Sequence, residues 1–238
     1  MNNKRDFTIG ILGGMGTYAT IHIFKQYADV FKAEKEWDRP RILIDNRCTM
    51  PSRVRAFLYG EKTEQLVLEM IDSIKCLVKF GGIKIRIILA CNTSHIFLPV
   101  IYKQIPEAMN NIVNIITECI NQINKDGIKR VYLLGSEGTI ESRVYQEKLA
   151  DSGIVCDVPE EKEYFLLRKC IEAVKQDEYS EEIEKIFCDL MSRHNNYILG
   201  CTELPILYEK YKDKIEVNYV YDPILIVLKK LKREFENE

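Results

Sequence analysis

Short runs of apolar, largely β-branched residues alternate along the chain with longer stretches in which apolar positions recur every three or four residues. The short runs, at 7–12, 41–45, 84–90, 130–134, 154–158, 197–199 and 217–221, predict strands. The longer stretches, at 17–33, 63–80, 112–125, 139–151, 160–175, 180–193, 204–211 and 223–235, predict helices. Strand and helix taking turns means parallel strands joined by crossover helices, an α/β fold. Ile85-Arg86-Ile87-Ile88-Leu89-Ala90 is apolar almost throughout, as a strand covered by helices on both faces must be.

The segment 99–111 carries Pro99, Pro106, Asn110 and Asn111, and reads as a turn-rich separator between two blocks that each begin a fresh alternation. The expected architecture is two similar α/β domains with mostly parallel sheets, related by a pseudo-two-fold axis, with the active site in the cleft between them. The first would comprise 1–98 plus 216–238, the second 99–215. The charged stretch 32–39 reads as a solvated helix end.

Composition narrows the classes. The 238 residues are 46% hydrophobic and 29% charged, ordinary values for a folded protein rather than a disordered one. Lys+Arg 34 against Asp+Glu 36 leaves a net charge of -2 and no field that would gather nucleic-acid phosphates. The most basic segment, 47–55, is short and interrupted by Met50, Pro51 and Val54. No run of about 18 apolar residues occurs, so no membrane partner is expected. The run 7–12 is too short for a signal-peptide core, and the expected location is the cytoplasm. There eight cysteines are not a disulfide scaffold; they are core, metal ligands or reactive thiols.

In open α/β sheets function collects beyond the carboxyl ends of strands. Two cysteines sit there in matching contexts, Ile87-Ile88-Leu89-Ala90-Cys91-Asn92-Thr93 and Tyr197-Ile198-Leu199-Gly200-Cys201-Thr202-Glu203. A thiol at a helix N-terminus is expected to have its pKa lowered by the dipole and free N–H groups. A lone cysteine of this kind is more often core; two in the same context favour function. The other six read as structural: Cys76, Cys119, Cys170 and Cys188 in helical pattern, Cys156 in a strand, Cys48 in a loop. The nearest pair, Cys188 and Cys201, is 13 residues apart, and His22, His95 and His194 are scattered, so no metal is expected. Two acid/base groups on opposite faces of one carbon can remove a proton from one side and return it from the other, inverting a stereocentre without a redox cofactor.

The set Gly13-Gly14-Met15-Gly16-Thr17-Tyr18-Ala19-Thr20, Cys91-Asn92-Thr93-Ser94-His95 and Gly200-Cys201-Thr202-Glu203-Leu204-Pro205 resembles the aspartate/glutamate racemase family, as does Leu133-Leu134-Gly135-Ser136-Glu137-Gly138-Thr139 with Tyr145-Gln146. Gly13-Gly14-Met15-Gly16 and Glu203 stand where glutamate racemases carry Asp-Ser-Gly and the histidine of Gly-Cys-Thr-His, so the resemblance is to the aspartate branch. It implies PLP-independent, two-base racemisation with no cofactor, an amino acid as the small-molecule partner, a homodimer, and Cys91 and Cys201 as the catalytic pair. It further implies substrate contacts from Met15, Asn92, Thr93, Thr202 and Glu203, from Arg53 in a Pro-Asp-Arg-like Pro51-Ser52-Arg53 and, on a looser alignment, from Lys175. Ser52 and Val54 depart from that pattern beside the arginine expected to choose side-chain length; Thr17 replaces a proline and would cap the next helix.

Without the resemblance, Arg53 is as readily a solvated loop arginine, His95 a packed histidine, Glu203 a helix-terminal acid and Lys175 a helix end. Rival functions are a racemase of broader specificity, a one-thiol decarboxylase or isomerase, and a dinucleotide binder, for which Gly14-Met15-Gly16-Thr17-Tyr18-Ala19 fits G-x-G-x-x-A but Asp45 lies too far along for the usual acidic partner.

Overall fold

The computed structural model describes residues 6–237. Among them seven strands form two sheets: β1 (Thr8–Gly13), β2 (Arg41–Asn46), β3 (Ile85–Leu89), β4 (Arg130–Gly135), β5 (Val155–Asp157), β6 (Asn196–Gly200) and β7 (Tyr219–Tyr221). The orders are β2-β1-β3 and β5-β4-β6-β7, and every pairing is parallel. The expected α/β class with parallel sheets is what the chain adopts.

The two sheets repeat one plan. β1 corresponds to β4, β2 to β5 and β3 to β6. In the first sheet the place of β7 is held by a single bridge, Ile87 to Ile112, in which Ile87 N–H donates to Asn111 O (2.7 Å) and Val113 N–H to Ile87 O (2.9 Å).

Alternation along the strands sorts side chains between two cores. Leu12 with Ile85, Ile87 and Leu89 packs against Leu66, Met70, Ile74 and Leu77 of α3 (Thr63–Gly81), residues at helical spacing. Ile9, Ile11 and Ile88 face the other way, into a cluster that continues through Leu133, Leu134 and Tyr197 of the second sheet. One core therefore runs through both halves.

Terminal helices tie the halves together. α5 (Ile115–Lys125) follows the bridge of the first sheet but packs on α7 (Gln146–Asp151); α11 (Pro223–Glu236) follows β7 but packs on α1 (Thr17–Val30), with Phe235 against Phe7 (5.6 Å between ring centroids) and Phe31. α5 and α11 also pack on each other. Residues 216–238, expected with the first block, are thus divided: β7 lies in the second sheet, hydrogen-bonded to β6, and the helix after it lies against the first half.

Other expectations change in detail. The supposed separator is helical, as α4 (Leu98–Gln104) and the 3-10 turn Pro106–Asn110; Pro99 sits in a first turn, where its missing N–H costs no bond. The helix expected at 139–151 is two, α6 (Glu137–Glu141) and α7, interrupted where Arg143 takes φ 57. Arg53 opens a helix, α2 (Arg53–Tyr59), rather than lying in a loop; Ser52 caps it by accepting from Arg55 N (3.3 Å), and Gly60 closes it at φ 71. Thr17 is the first residue of α1 and caps nothing, its hydroxyl lying 3.3 Å from Cys48 Sγ.

Candidate active site

The ends of β1, β3, β4 and β6 converge on a small cavity of about 70 Å³. All nine residues singled out from sequence line it: Met15, Arg53, Cys91, Asn92, Thr93, Lys175, Cys201, Thr202 and Glu203. Ser52, Val54, Ser136, Ile171 and Gly200 complete the wall. Five of the lining residues, Ser52, Val54, Ser136, Ile171 and Lys175, also border a cavity of about 400 Å³ between α2, α6 and α8 (Tyr164–Gln176). The inner cavity has room for little more than water; the outer is of ligand size.

The two cysteines arrive by the same route. Each follows a buried strand and a small residue, Ala90 or Gly200, and each is partly buried; a Cβ at Gly200 would press on Leu133 Cδ1 (2.6 Å) and Leu134 O (3.1 Å). Hydrogen bonds stitch the two motifs across the halves. Thr202 Oγ1 donates to Ala90 O (3.3 Å), and the Thr93 hydroxyl lies 2.9 Å from both Ser136 Oγ and Thr139 Oγ1.

Asn92 is buried beside Cys91. Its Oδ1 accepts from the Tyr145 hydroxyl (2.6 Å), which fixes the amide, and its Nδ2 has no partner. A buried donor held in place without an acceptor is a ready contact for a carboxylate. Arg53 donates from Nη2 to Met15 O (3.0 Å) and from Nη1 to Pro51 O (3.1 Å), while its buried Nε has no partner, so part of the guanidinium fork is also uncommitted. Lys175 donates to Glu172 (2.7 Å); burial opposes its charge, but Glu172, Glu203 and Cys201 together hold its pKa above the ordinary lysine value.

The thiols are not alike. Burial first, and then the Glu203 carboxylate, push the Cys201 pKa well above the usual cysteine range, the reverse of the lowering expected from a helix N-terminus. The reason is local. Glu203 is itself the N-cap residue of α10 (Leu204–Tyr211), and its Oε2 accepts from Cys201 Sγ (2.9 Å), so the thiol's hydrogen-bond partner is a carboxylate. After Cys91 the chain enters only a 3-10 turn, Thr93–Phe97, where His95 Nδ1 lies 3.0 Å from Cys91 O.

Sequence reasoning did not assign Tyr145, which orients Asn92 from 53 residues away, or the space provided by Gly14 and Gly16. Gly14 lies at φ 79, and a Cβ there would collide with the Arg47 backbone; a Cβ at Gly16 would collide with Glu203 Oε1. This loop is filled by protein backbone and by a carboxylate, which is unsuited to a pyrophosphate and argues against a dinucleotide site. Among the described residues no three His, Cys, Asp or Glu side chains come together as metal ligands, and no helix is long and apolar enough to cross a membrane.

Residues 12–231 match the family model described as Asp/Glu/hydantoin racemase. A broad specificity amino-acid racemase of Bacillus subtilis is 26% identical over 221 residues, covering 88% of this chain and 91% of that protein. The solved aspartate racemase of Picrophilus torridus superposes with a TM-score of 0.77 at 27% identity, over 97% of this chain and 98% of that one. The glutamate racemase of Francisella tularensis, solved with D-glutamate, shares the fold at a TM-score of 0.67 and 21% identity, over 98% of this chain and 82% of its own.

Proposed function

The chain belongs to the Asp/Glu/hydantoin racemase family and is an isomerase; from that premise we propose that it interconverts the L- and D-enantiomers of an acidic amino acid, aspartate or glutamate, by PLP-independent proton transfer between Cys91 and Cys201. The observation that carries the reading is that two strand-end thiols, one from each sheet, line the same cavity. One thiolate takes the α-proton, breaking Cα–H and forming S–H. The opposite thiol then gives its proton to the other face, breaking S–H and forming Cα–H.

The difficult step is making the carbanion, whose charge passes into the substrate carboxylate. Asn92 Nδ2, the free edge of Arg53 and the hydroxyl of Thr93 are the donors that would hold the carboxylates while that charge develops, whereas the Thr202 hydroxyl is committed to Ala90 O. A tight cavity roofed by both halves keeps water from competing for the carbanion.

A second reading widens the substrate. Ser52, Val54 and Ile171 separate the thiols from the 400 Å³ cavity, small or apolar groups that leave a longer side chain somewhere to go. The B. subtilis relative is named for broad specificity, which fits such a passage.

Incubation in heavy water with L-aspartate, L-glutamate and a panel of other amino acids, followed by α-deuteration and optical rotation, tests both readings. Exchange at the α-carbon with inversion is expected; no exchange with any amino acid would sink the proposal. Cys91→Ser and Cys201→Ser should each lower kcat/KM by about 10²–10⁴-fold, the usual contribution of a general acid or base. Full activity in either variant would remove the two-base assignment.

A further inference from the structure

Glu203 is buried in the cavity wall with one carboxyl oxygen paired and the other not. The residue is 2% exposed; Oε2 accepts from Cys201 Sγ (2.9 Å), with Thr202 Oγ1, whose proton goes to Ala90 O, 3.4 Å away, and Oε1 is buried with no partner. A half-paired buried anion is destabilising unless something else completes it. The room for it comes from the other half of the molecule, because Oε1 occupies the space a side chain at Gly16 would fill. Both oxygens thus face particular tasks, one the thiol and the other an absent donor.

We propose that Glu203 holds Cys201 as a protonated thiol through the Sγ–H to Oε2 hydrogen bond, and that its free Oε1 receives the α-ammonium of the substrate. This rests on the racemase reading of the site. It makes Cys201 the acid of the resting protein. When Cys91 as thiolate takes the α-proton, Cys201 delivers its own to the opposite face and is left as a thiolate beside a carboxylate. Two adjacent anions are unfavourable, and the substrate ammonium on Oε1 with Lys175 nearby offsets them while substrate is bound. The charged and titratable groups around Cys201 are Glu203 on its own segment, Cys91 at the end of β3, Lys175 on α8 and Arg53 at the start of α2. Burial and Glu203 both act to keep the Cys201 proton in place.

The test separates this assignment from the racemase reading by including a measurement that needs no turnover. Alkylation of Cys201 by iodoacetamide, followed across pH by peptide mass spectrometry on the substrate-free protein, reports the thiol directly. Glu203→Gln should lower the Cys201 midpoint by about one pH unit or more, and Gly16→Ala, which displaces the carboxylate, should move it in the same direction. The basic limb of the kcat/KM profile should shift with it, equally for both enantiomers because their equilibrium constant is one. KM for the substrate should rise about tenfold in Glu203→Gln, as loss of a charged hydrogen bond implies, while inhibition by succinate, which has no ammonium, stays constant. An unchanged Cys201 midpoint in folded Glu203→Gln and Gly16→Ala overturns the thiol assignment, and equal changes for substrate and succinate overturn the ammonium contact. A shifted midpoint in a protein that racemises nothing supports the thiol contact and sinks the racemase reading instead.

Discussion

At the end of β3, Cys91 is followed by Asn92, whose amide is fixed by Tyr145 from the other half. At the end of β6, Cys201 is followed by Thr202 and Glu203, whose carboxylate takes the thiol hydrogen bond and lodges against Gly16 of the other half. The strands, the small preceding residues and the sheet orders correspond, yet one side offers a neutral donor and the other an anion. A repeated fold has supplied two equivalent positions, and the residues that follow, Asn92 in one case and Glu203 in the other, have made them chemically different. In both cases the group that conditions one thiol is held by a residue from the opposite half, so neither half could present its site alone.

Four residues past the cysteines the halves differ again, His95 against Pro205. Burial pushes the His95 pKa down to about 4, although its hydrogen bonds to the Cys91 and Asn92 backbone work the other way. The unfolded chain takes up that proton near 6.5, before the folded protein does. Stability from this group is therefore complete above about 6.5 and is lost as pH falls through the interval down to about 4, a loss on the order of 3 kcal/mol. Denaturant unfolding at pH 7 and pH 4 should show that loss in the unaltered protein and a smaller one in His95→Gln. An identical pH dependence in the two would show that the histidine does not set the acid sensitivity of the first half.

Tyr145→Phe probes the conditioning of Asn92. Removing the hydroxyl leaves Asn92 Oδ1 buried without a donor, an expected cost of about 1–3 kcal/mol in unfolding free energy. The amide also loses its orientation, so KM should rise more than kcat falls. A variant with unchanged KM would mean that Asn92 Nδ2 is not a carboxylate contact.

The strands were legible because β1, β3, β4 and β6 are apolar on both pleat faces, which few other local structures tolerate. The two cysteines were legible because strand ends of an α/β sheet bring loops together whatever their separation in sequence, whereas Arg53 on α2 and Lys175 on α8 were reached only through the family resemblance. α2 was not, since seven residues hold too few turns for a period to show, and α4 was hidden by Pro99, which is harmless in a first turn. The exchange of α5 and α11 between halves leaves no local trace, because a helix carries the same apolar stripe whichever sheet it covers. The Cys201 pKa is raised rather than lowered for a related reason: helix position is local, whereas burial and the placement of Glu203 are tertiary.

The smallest expected effect concerns two helix caps at corresponding positions. Asn114 caps α5 by accepting from Ile116 N and Thr117 N (both 3.1 Å), and Asp222 caps α11 by accepting from Ile224 N (2.9 Å) and Leu225 N (3.3 Å). Asp222 is buried, which raises its pKa even though Gln26 Nε2 (2.6 Å from Oδ2) and the capped N–H groups favour the charge. A raised folded pKa means that the stability from this group is fully present below the unfolded value and is lost as pH climbs through the folded one. Near neutrality the cap therefore carries a charge that its surroundings resist. Asp222→Asn, which gives the second half the cap of the first, keeps the acceptor and removes the charge; the buried, unpartnered Gln26 Oε1 can turn to accept from the new amide. Stability at pH 7 should rise by up to about 1 kcal/mol, a cap-sized effect, and the gain should vanish in acid, where Asp222 is neutral. His22, already lowered by burial and raised chiefly by Asp222, should titrate at lower pH still, which NMR can read. A variant destabilised at neutral pH would mean instead that the Gln26 and N–H hydrogen bonds more than offset the burial of the charge.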